Sequence, residues 1–248
     1  METGVFYFMD IIAKKSGELE GTVTMPASKS HTIRALVLAL LASGTSRIEN
    51  PLKSEDTDDA IRALEAFGAK VSVTHDAITV GSKGLPIRDT KERISTGNSG
   101  IATRFLLPVT GFREHADTVL TYDVGEQMRA RPIKPLVDAL NMLGMDIKAT
   151  KEMFPLTVSG SLGGGTVTVD GLTSQYLSAL LLSLPLAPED SEITVGNLHE
   201  RPYVEMTEYW LKRNNIKYSH RRASGKDIFT IFGGQQYKPF DIYIPGDF

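Results

Sequence analysis

The stretch "HTIRALVLALLASG" (residues 31–44) decides the fold, because as a helix it is apolar around almost its whole circumference. An ordinary surface helix carries one polar face, whereas a helix of this kind has to be buried on all sides. Strands must then wrap around it. The sequence therefore predicts a helix enclosed by β-sheet.

Two further passages repeat this pattern, with the apolar helices "GNSGIATRFLLPVTG" (97–111) and "TSQYLSALLLSLPLA" (173–187). Each of the three passages continues with a strand, an amphipathic helix that ends near Gly68, Gly144 or Asn214 and Asn215, and two more strands. A unit that is repeated along the chain predicts a pseudo-symmetric architecture. We expect an α/β (α+β) lobe of three βαβαββ units with its helices buried.

Composition excludes several classes of function. Among the 248 residues there is no cysteine, so disulfides and thiolate chemistry are excluded, and the five histidines are scattered without metal-ligand spacing. The net charge of −3 gives no overall basic field for nucleic acid, and no segment is long and apolar enough to span a bilayer. We therefore expect a cytoplasmic protein without a metal, a nucleic-acid partner or a membrane partner.

The starts of the three apolar helices share small or hydroxyl-bearing residues, in "ASKS" (27–30), "GNSG" (97–100) and "LTSQ" (172–175). Ordinary helix capping explains any one of them. Three such starts in pseudo-symmetric units can point at a common rim, where backbone N–H groups would bind an anion. Acidic residues in "KSEDTDDA" (53–60) are expected to charge the first turn of a helix and not to form a catalytic pair.

Cations also stand where helices are predicted to begin. Lys29 and Arg34 lie at the start of the first apolar helix, and Arg131 and Arg201 each precede a proline, which predicts that both are helix N-caps. A cation there opposes the helix dipole at a cost of about 0.3–1 kcal/mol. An ion pair with a doubly charged ligand group at ~4 Å is worth about 4 kcal/mol near a protein surface, which exceeds that cost. The pattern therefore favours a phosphate or carboxylate ligand.

Five segments occur in an order and spacing that resemble a known family: "PASKSHTIRA" (26–35), "GNSGIATR" (97–104), "MRARPIKPL" (128–136), "TSQYLSALL" (173–181) and "RPYVEMT" (201–207). Together they resemble the 5-enolpyruvylshikimate-3-phosphate synthase (3-phosphoshikimate 1-carboxyvinyltransferase) family over nearly all of residues 20–248. The resemblance implies transfer of the carboxyvinyl group of phosphoenolpyruvate to the 5-hydroxyl of shikimate 3-phosphate, with release of phosphate, in the shikimate pathway of aromatic amino-acid biosynthesis. It implies no metal and no organic cofactor.

The resemblance also implies an enolpyruvyl transferase-like fold of two lobes, each an inside-out α/β barrel of three units. Residues 25–238 would form the lobe that binds shikimate 3-phosphate, residues 1–24 would belong to the other lobe, and residues 239–248 would form a crossover strand into it. The catalytic acidic residues of that other lobe have no counterpart in the 248 residues. We therefore expect little or no turnover from the chain alone, and either a second lobe as partner or self-association through the exposed lobe interface.

The resemblance assigns roles to individual side chains. Lys29 would bind phosphoenolpyruvate and assist proton transfer, Arg131 would clamp the same substrate, and Gly100 would leave room for it. Gln175 would bridge both substrates. The residues that would hold shikimate 3-phosphate are Ser30, Arg34, Thr173, Ser174 and Tyr203. Glu200 stands where many members have a phosphate-binding serine, so it would repel the ligand unless it turns outward or pairs with Arg201.

Two other functions remain open from the sequence. A sibling enzyme that transfers the enolpyruvyl group to UDP-N-acetylglucosamine has related repeats, although the reactive cysteine often seen there is absent. A non-catalytic module that binds phosphate or RNA ends is the second alternative, because RNA 3′-phosphate cyclases also use related repeats. The acidic net charge speaks against RNA.

Overall fold

The computed structural model describes residues 12, 14, 17–18, 20–88, 93–150 and 153–247, and within them three four-stranded sheets surround three helices. The first unit consists of α1 (Lys29–Leu41), β1 (Ser43–Glu49), α2 (Glu55–Ala66), β2 (Lys70–Val73) and β3 (Ala77–Lys83). The second consists of β4 (Arg93–Ser95), α3 (Gly100–Leu106), β5 (Leu120–Asp123), the short α4 (Glu126–Arg129), α5 (Lys134–Met142), β6 (Met145–Thr150) and β7 (Met153–Gly160). The third consists of β8 (Gly165–Asp170), α6 (Ser174–Ser183), β9 (Ser191–Gly196), α7 (Arg201–Arg213), β10 (Tyr218–Ala223) and β11 (Lys226–Ile231), and β12 (Asp241–Tyr243) follows.

The three sheets share one topology. Their strand orders are β12-β1-β3-β2, β4-β5-β7-β6 and β8-β9-β11-β10. In each sheet the first two strands are parallel and the remaining neighbours are antiparallel. In the second and third units a helix joins the two parallel strands and an outer helix leads to the two antiparallel strands, which is the predicted βαβαββ unit.

In the first sheet β12 takes the place that β4 and β8 take in the other two. It pairs with β1 in the register Arg47 with Asp241 to Glu49 with Tyr243. Beyond β12, Ile244 is fully buried and the carbonyl of Pro245 accepts the backbone N–H of Ser28 at 2.9 Å, just before α1. The lobe therefore extends past the boundary predicted at residue 238. Most of the predicted N-terminal segment 1–24 lies outside the described residues.

The helices α1, α3 and α6 are the buried ones, as predicted. Every residue of α1 from Thr32 to Leu41, all of α3, and all of α6 except Gln175 are buried. Each fully buried leucine or isoleucine side chain contributes about 1.5–3 kcal/mol to stability, so the shared core of these helices is the main source of it. The helices α2, α5 and α7 bury one face each and lie outside. No helix of the described chain is long and apolar enough to cross a membrane.

The predicted ends of the outer helices are confirmed by backbone conformation. Gly68, Gly144 and Asn215 have φ of +88°, +101° and +57°, and each stands two residues after the end of its helix. Left-handed backbone at this position is a common way to stop a helix, and glycine or asparagine adopts it at little cost.

The predicted caps at Arg131 and Arg201 are wrong. The helix α5 begins at Lys134 with Pro135 in its first turn, so Arg131 lies in the loop before the helix. Pro132 precedes the helix, and the rule that favours proline in a first turn is met by the later proline. In α7 Arg201 is already helical and the cap is Glu200. Neither arginine therefore has the N-cap position that the sequence suggested.

Candidate functional site

The three inner helices begin at one cleft of about 570 Å³. Each has a hydroxyl side chain as N-cap, because Ser28, Ser99 and Thr173 accept backbone N–H groups of their first turns. Helix N-termini carry partial positive charge from their unpaired N–H groups. The common rim that the repeat pattern predicted therefore exists, and it favours anions.

The cleft brings together eight of the nine residues to which the resemblance assigned a substrate. The lining includes Lys29, Ser30, Arg34, Gly100, Arg131, Ser174, Gln175 and Tyr203. The ninth, Thr173, caps α6 directly behind Ser174. Arg201 is not part of the lining, since it forms a bidentate pair with Asp227 at 2.7 and 3.1 Å.

Arg34 is a buried cation, 1% exposed, whose partners are all neutral. Its Nε donates to Thr207 Oγ1 at 2.9 Å, and its Nη atoms donate to the carbonyls of Ser30 and Tyr203 and to Ser178 Oγ. Burial lowers its pKa to about 9, which still leaves it charged at neutral pH. No carboxylate of the described residues pairs with it, so its positive charge can attract an anionic ligand that binds in the cleft.

Arg104 is a second buried cation, and sequence reasoning missed it. It is 6% exposed, and its Nη1 donates to Gln175 Oε1 at 2.6 Å and to the Gly100 carbonyl at 3.3 Å, while Nη2 donates to the Pro132 carbonyl at 3.0 Å. Its Nε is buried and finds no hydrogen-bond partner in the described part of the chain. Burial lowers the pKa of this guanidinium. Arg104 thus holds the Gln175 amide in place and ties α3 to α6.

Gly100 lies where two guanidinium groups converge. A Cβ atom added at this residue would lie 3.0 Å from Nη1 of Arg104 and 3.1 Å from Nη1 of Arg131. Two positively charged guanidinium groups next to the same glycine favour binding of an anion near them. The glycine has no side chain, so its backbone lets such a ligand approach closely.

Acidic residues of α2, namely Glu55, Asp56 and Asp59, also line the cleft. The prediction that they charge a first helical turn is confirmed, since Ser54 caps α2 and Glu55, Asp56 and Asp58 follow it. Asp56 also forms an ion pair with Lys29 Nζ at 2.9 Å. This pair fixes the position of the ammonium group and uses one of its three donors. The contribution of α2 to the site could not be read from its charge pattern alone.

Glu200 neither turns outward nor pairs with Arg201. Its Oε2 accepts the backbone N–H of Ser174 at 3.0 Å and the Ser174 hydroxyl at 2.9 Å. The cleft therefore contains a carboxylate of the chain itself at the start of α6.

Comparisons with known proteins agree with the fold. The sequence profile of the family described as EPSP synthase (3-phosphoshikimate 1-carboxyvinyltransferase) matches residues 13–248. A 3-phosphoshikimate 1-carboxyvinyltransferase of Ruminiclostridium cellulolyticum is 42% identical over 236 residues, which are 94% of this chain and 54% of the relative. One of Methanothermobacter thermautotrophicus is 37% identical over 92% of this chain and 54% of the relative.

The solved structure of EPSP synthase from Acinetobacter baumannii matches with a TM-score of 0.78 and 21% identity, over 92% of this chain and 50% of that chain. At this identity the likeness shows the fold. The chain spans about half the length of the curated relatives that it matches. The family match over nearly the whole chain confirms the resemblance drawn from its five segments, and the chain belongs to the EPSP synthase (3-phosphoshikimate 1-carboxyvinyltransferase) family.

Proposed function

We propose that this chain binds shikimate 3-phosphate and phosphoenolpyruvate in the cleft and takes part in the transfer of the carboxyvinyl group between them. One observation carries the proposal. Arg34 is a fully buried guanidinium whose hydrogen-bond partners are all neutral, and it lines the same cleft as Lys29 and Arg131. Such a cluster of positive charge is suited to small phosphorylated acids.

The chemistry defines what the residues have to do. A proton is added to the methylene carbon of phosphoenolpyruvate, and the 5-hydroxyl oxygen attacks the neighbouring carbon while it loses its own proton. Loss of a proton from the new methyl group and of phosphate then restores the vinyl group. The protein has to orient two anions and to move these protons.

We take the roles from the family resemblance, and the positions of these residues in or beside the cleft support them. Lys29, which pairs with Asp56, would bind phosphoenolpyruvate and assist proton transfer, and Arg131, whose guanidinium lies next to Gly100, would clamp the same substrate. Gln175, held by Arg104, bridges the two substrates. The shikimate 3-phosphate side consists of Ser30, Arg34, Thr173, Ser174 and Tyr203.

Calorimetric titration tests the proposal. We expect shikimate 3-phosphate to bind the chain, and phosphoenolpyruvate to bind once the first ligand is present. Lys29→Ala and Arg131→Ala should weaken the second step by about tenfold to a hundredfold, since each removes charged hydrogen bonds of about 1.5–3 kcal/mol.

Matched controls are Lys148→Ala and Arg221→Ala, which remove exposed cations that pair with Asp146 and Glu192 far from the cleft. Both should leave the two binding steps unchanged. Binding of UDP-N-acetylglucosamine in place of shikimate 3-phosphate would instead support the sibling transferase, and salt-dependent binding of RNA ends would support the non-catalytic module.

A further inference from the structure

The start of α6 is an anion cradle that already holds an anion of the chain. Three donors face Glu200 Oε2: the Ser174 backbone N–H at 3.0 Å, the Ser174 hydroxyl at 2.9 Å and, at a longer 3.5 Å, the Thr173 hydroxyl. The helix has ten residues, and the positive end of its dipole favours negative charge at this position. These are the donors that would meet a ligand phosphate at this helix.

The backbone fixes Glu200 in this orientation. Its φ and ψ of 51° and 39° are left-handed, which is uncommon for a residue other than glycine, asparagine or aspartate. The residue before it is held by the bond from the His199 N–H to the Gly171 carbonyl, and the residue after it by the Arg201–Asp227 pair. The residues before and after Glu200 are thus both fixed, and they keep its carboxylate at the start of α6.

Glu200 forms no direct ion pair with the buried arginines, although its charge acts on Arg104 from a distance. Arg34 and Arg104 are each more than nine-tenths buried, and neither forms an ion pair with Glu200 or another carboxylate of the described residues. Arg104 in addition leaves its buried Nε without a partner there. The site therefore keeps its attraction for an anionic ligand, although one of its anion positions is filled.

From this geometry we propose, building on the function proposed above, that Glu200 is a specificity-determining residue: its carboxylate occupies the phosphate position at the start of α6 and lowers the affinity of the cleft for phosphorylated ligands relative to unphosphorylated ones. A phosphate at this position has either to displace the carboxylate from its donors or to lie beside a like charge. A hydroxylated cyclic acid without phosphate meets neither cost. The ratio of the two affinities therefore measures the effect of Glu200.

Calorimetric titration of shikimate, shikimate 3-phosphate and inorganic phosphate into the full chain tests this proposal. Glu200→Gln keeps the size of the side chain and removes its charge, and Glu200→Ser removes the carboxylate altogether. Both should raise the affinity for shikimate 3-phosphate and for inorganic phosphate by about tenfold or more, because charged hydrogen bonds become available to the ligand. The affinity for shikimate should change by less than about threefold.

Glu205→Gln is the matched control, because it removes the same charge from an exposed position of the same helix outside the cleft. It should leave all three affinities unchanged, and thermal melting of each variant checks that it is folded. Unchanged or weaker binding of both phosphorylated ligands to folded Glu200 variants overturns the proposal. If shikimate 3-phosphate binds the original chain but gains nothing in the variants, the inference fails and the proposed function stands. If inorganic phosphate gains affinity while neither shikimate ligand binds any form, the inference stands and the proposed function fails.

Discussion

Arg34 and Arg104 are charged residues within otherwise buried helices, and both donate to the backbone carbonyl four residues before them. Each therefore satisfies part of its guanidinium locally. Arg34 lines the cleft, whereas Arg104 donates to Gln175, which lines it. Burying a cation without a carboxylate is costly, and hydrophobic replacement of buried charges is often neutral or stabilising. The burial of these two arginines is therefore better explained by binding of an anionic ligand than by a contribution to the stability of the fold.

This leads to a first prediction, for Arg34→Met. The groups that Arg34 contacts have other partners, because the Thr207 hydroxyl also lies 2.9 Å from Ser178 Oγ and 3.0 Å from the Tyr203 carbonyl. We expect the free energy of unfolding to stay within about 1 kcal/mol of the original chain or to rise. Binding of shikimate 3-phosphate should fall by roughly a hundredfold, since several charged hydrogen bonds are lost. Urea unfolding and calorimetry measure the two effects. A loss of stability above about 2 kcal/mol would show that Arg34 is structural.

Gly100→Ala gives a second prediction. The added Cβ would press on the ends of two flexible side chains, Arg104 and Arg131, at 3.0 and 3.1 Å. Alanine is also a better helix residue than glycine, by up to about 1 kcal/mol. We therefore expect unchanged or slightly higher stability together with about tenfold weaker binding of phosphoenolpyruvate, because both guanidinium groups have to move. Gly196→Ala is a control with open space around its new Cβ, and it should leave binding unchanged. If both substitutions changed the affinity for phosphoenolpyruvate equally, Gly100 would not be part of the binding site.

At the scale of helices and strands, a large part of the fold could be predicted from the sequence. An apolar circumference forces α1, α3 and α6 inside, and this holds without knowledge of any contact. The left-handed stops after α2, α5 and α7 are also local, since glycine and asparagine determine them. Both features depend on residues close together in the chain.

The features that could not be predicted depend on distant residues. The pairing of β12 with β1 joins residues almost two hundred positions apart, and a strand pattern carries no information about its partner. The direction of the Glu200 side chain follows from its bonds with Ser174, a residue distant in the chain, which no local pattern shows. Arg104 could have been found from the sequence, because an arginine within an otherwise apolar helix indicates a functional or structural role for its charge. Its position four residues after Gly100 matches that of Arg34 after Ser30.

The contact between α7 and β11 leads to a third prediction. Arg201 lowers the pKa of Asp227 by donating hydrogen bonds to its carboxylate, and the His220 ring, 2.9 Å away, lowers it further against the effect of burial. Folding lowers the pKa of this carboxylate below its ordinary value of 3.8. The carboxylate therefore stabilises the folded protein at every pH above 3.8, and this stabilisation is lost as the pH falls through the lower pKa of the folded state. Asp227→Asn should therefore destabilise the chain at pH 7 by about 1–3 kcal/mol.

Urea unfolding of the original chain and the variant between pH 3 and pH 7 measures this effect. The difference between the two should be constant at neutral pH and should shrink below about pH 4, where the unfolded carboxyl becomes protonated. Asp146→Asn is the control, because its pair with Lys148 is exposed and should contribute less than about 1 kcal/mol. A difference that does not change with pH would mean that the carboxylate charge is not what stabilises this contact.

The whole molecule carries a negative net charge, so any attraction of its cleft for an anion has to arise locally, beside the carboxylates of Glu55, Asp56, Asp59 and Glu200 that also line it. It carries 27 basic and 30 acidic side chains, so its overall field does not attract anions. The attraction arises because pseudo-symmetry brings three helix starts to one rim and places Arg34, Arg104 and Arg131 around it. Binding therefore depends on the correct assembly of all three units, and a defect far from the cleft should weaken it.

The final strand offers the test of this dependence, as a fourth prediction. Removal of residues 239–248 deletes β12 and the fully buried Ile244, and it takes away the Pro245 carbonyl that accepts the Ser28 N–H at 2.9 Å. Burial of Ile242 and Ile244 alone contributes about 3–6 kcal/mol, which is much of the stability of an ordinary domain. Ser28 also caps α1, so the change reaches Lys29 and Ser30 in the cleft. We expect the shortened chain to unfold at a much lower urea concentration, and the fraction that remains folded to bind shikimate 3-phosphate more weakly.

A chain that ends at Asp247 is the control, because it keeps every contact named for this strand, and it should match the original chain in both measurements. If the shortened chain kept its stability and its binding, residues 239–248 would be an appendage of the lobe, and the boundary at residue 238 would be the correct one.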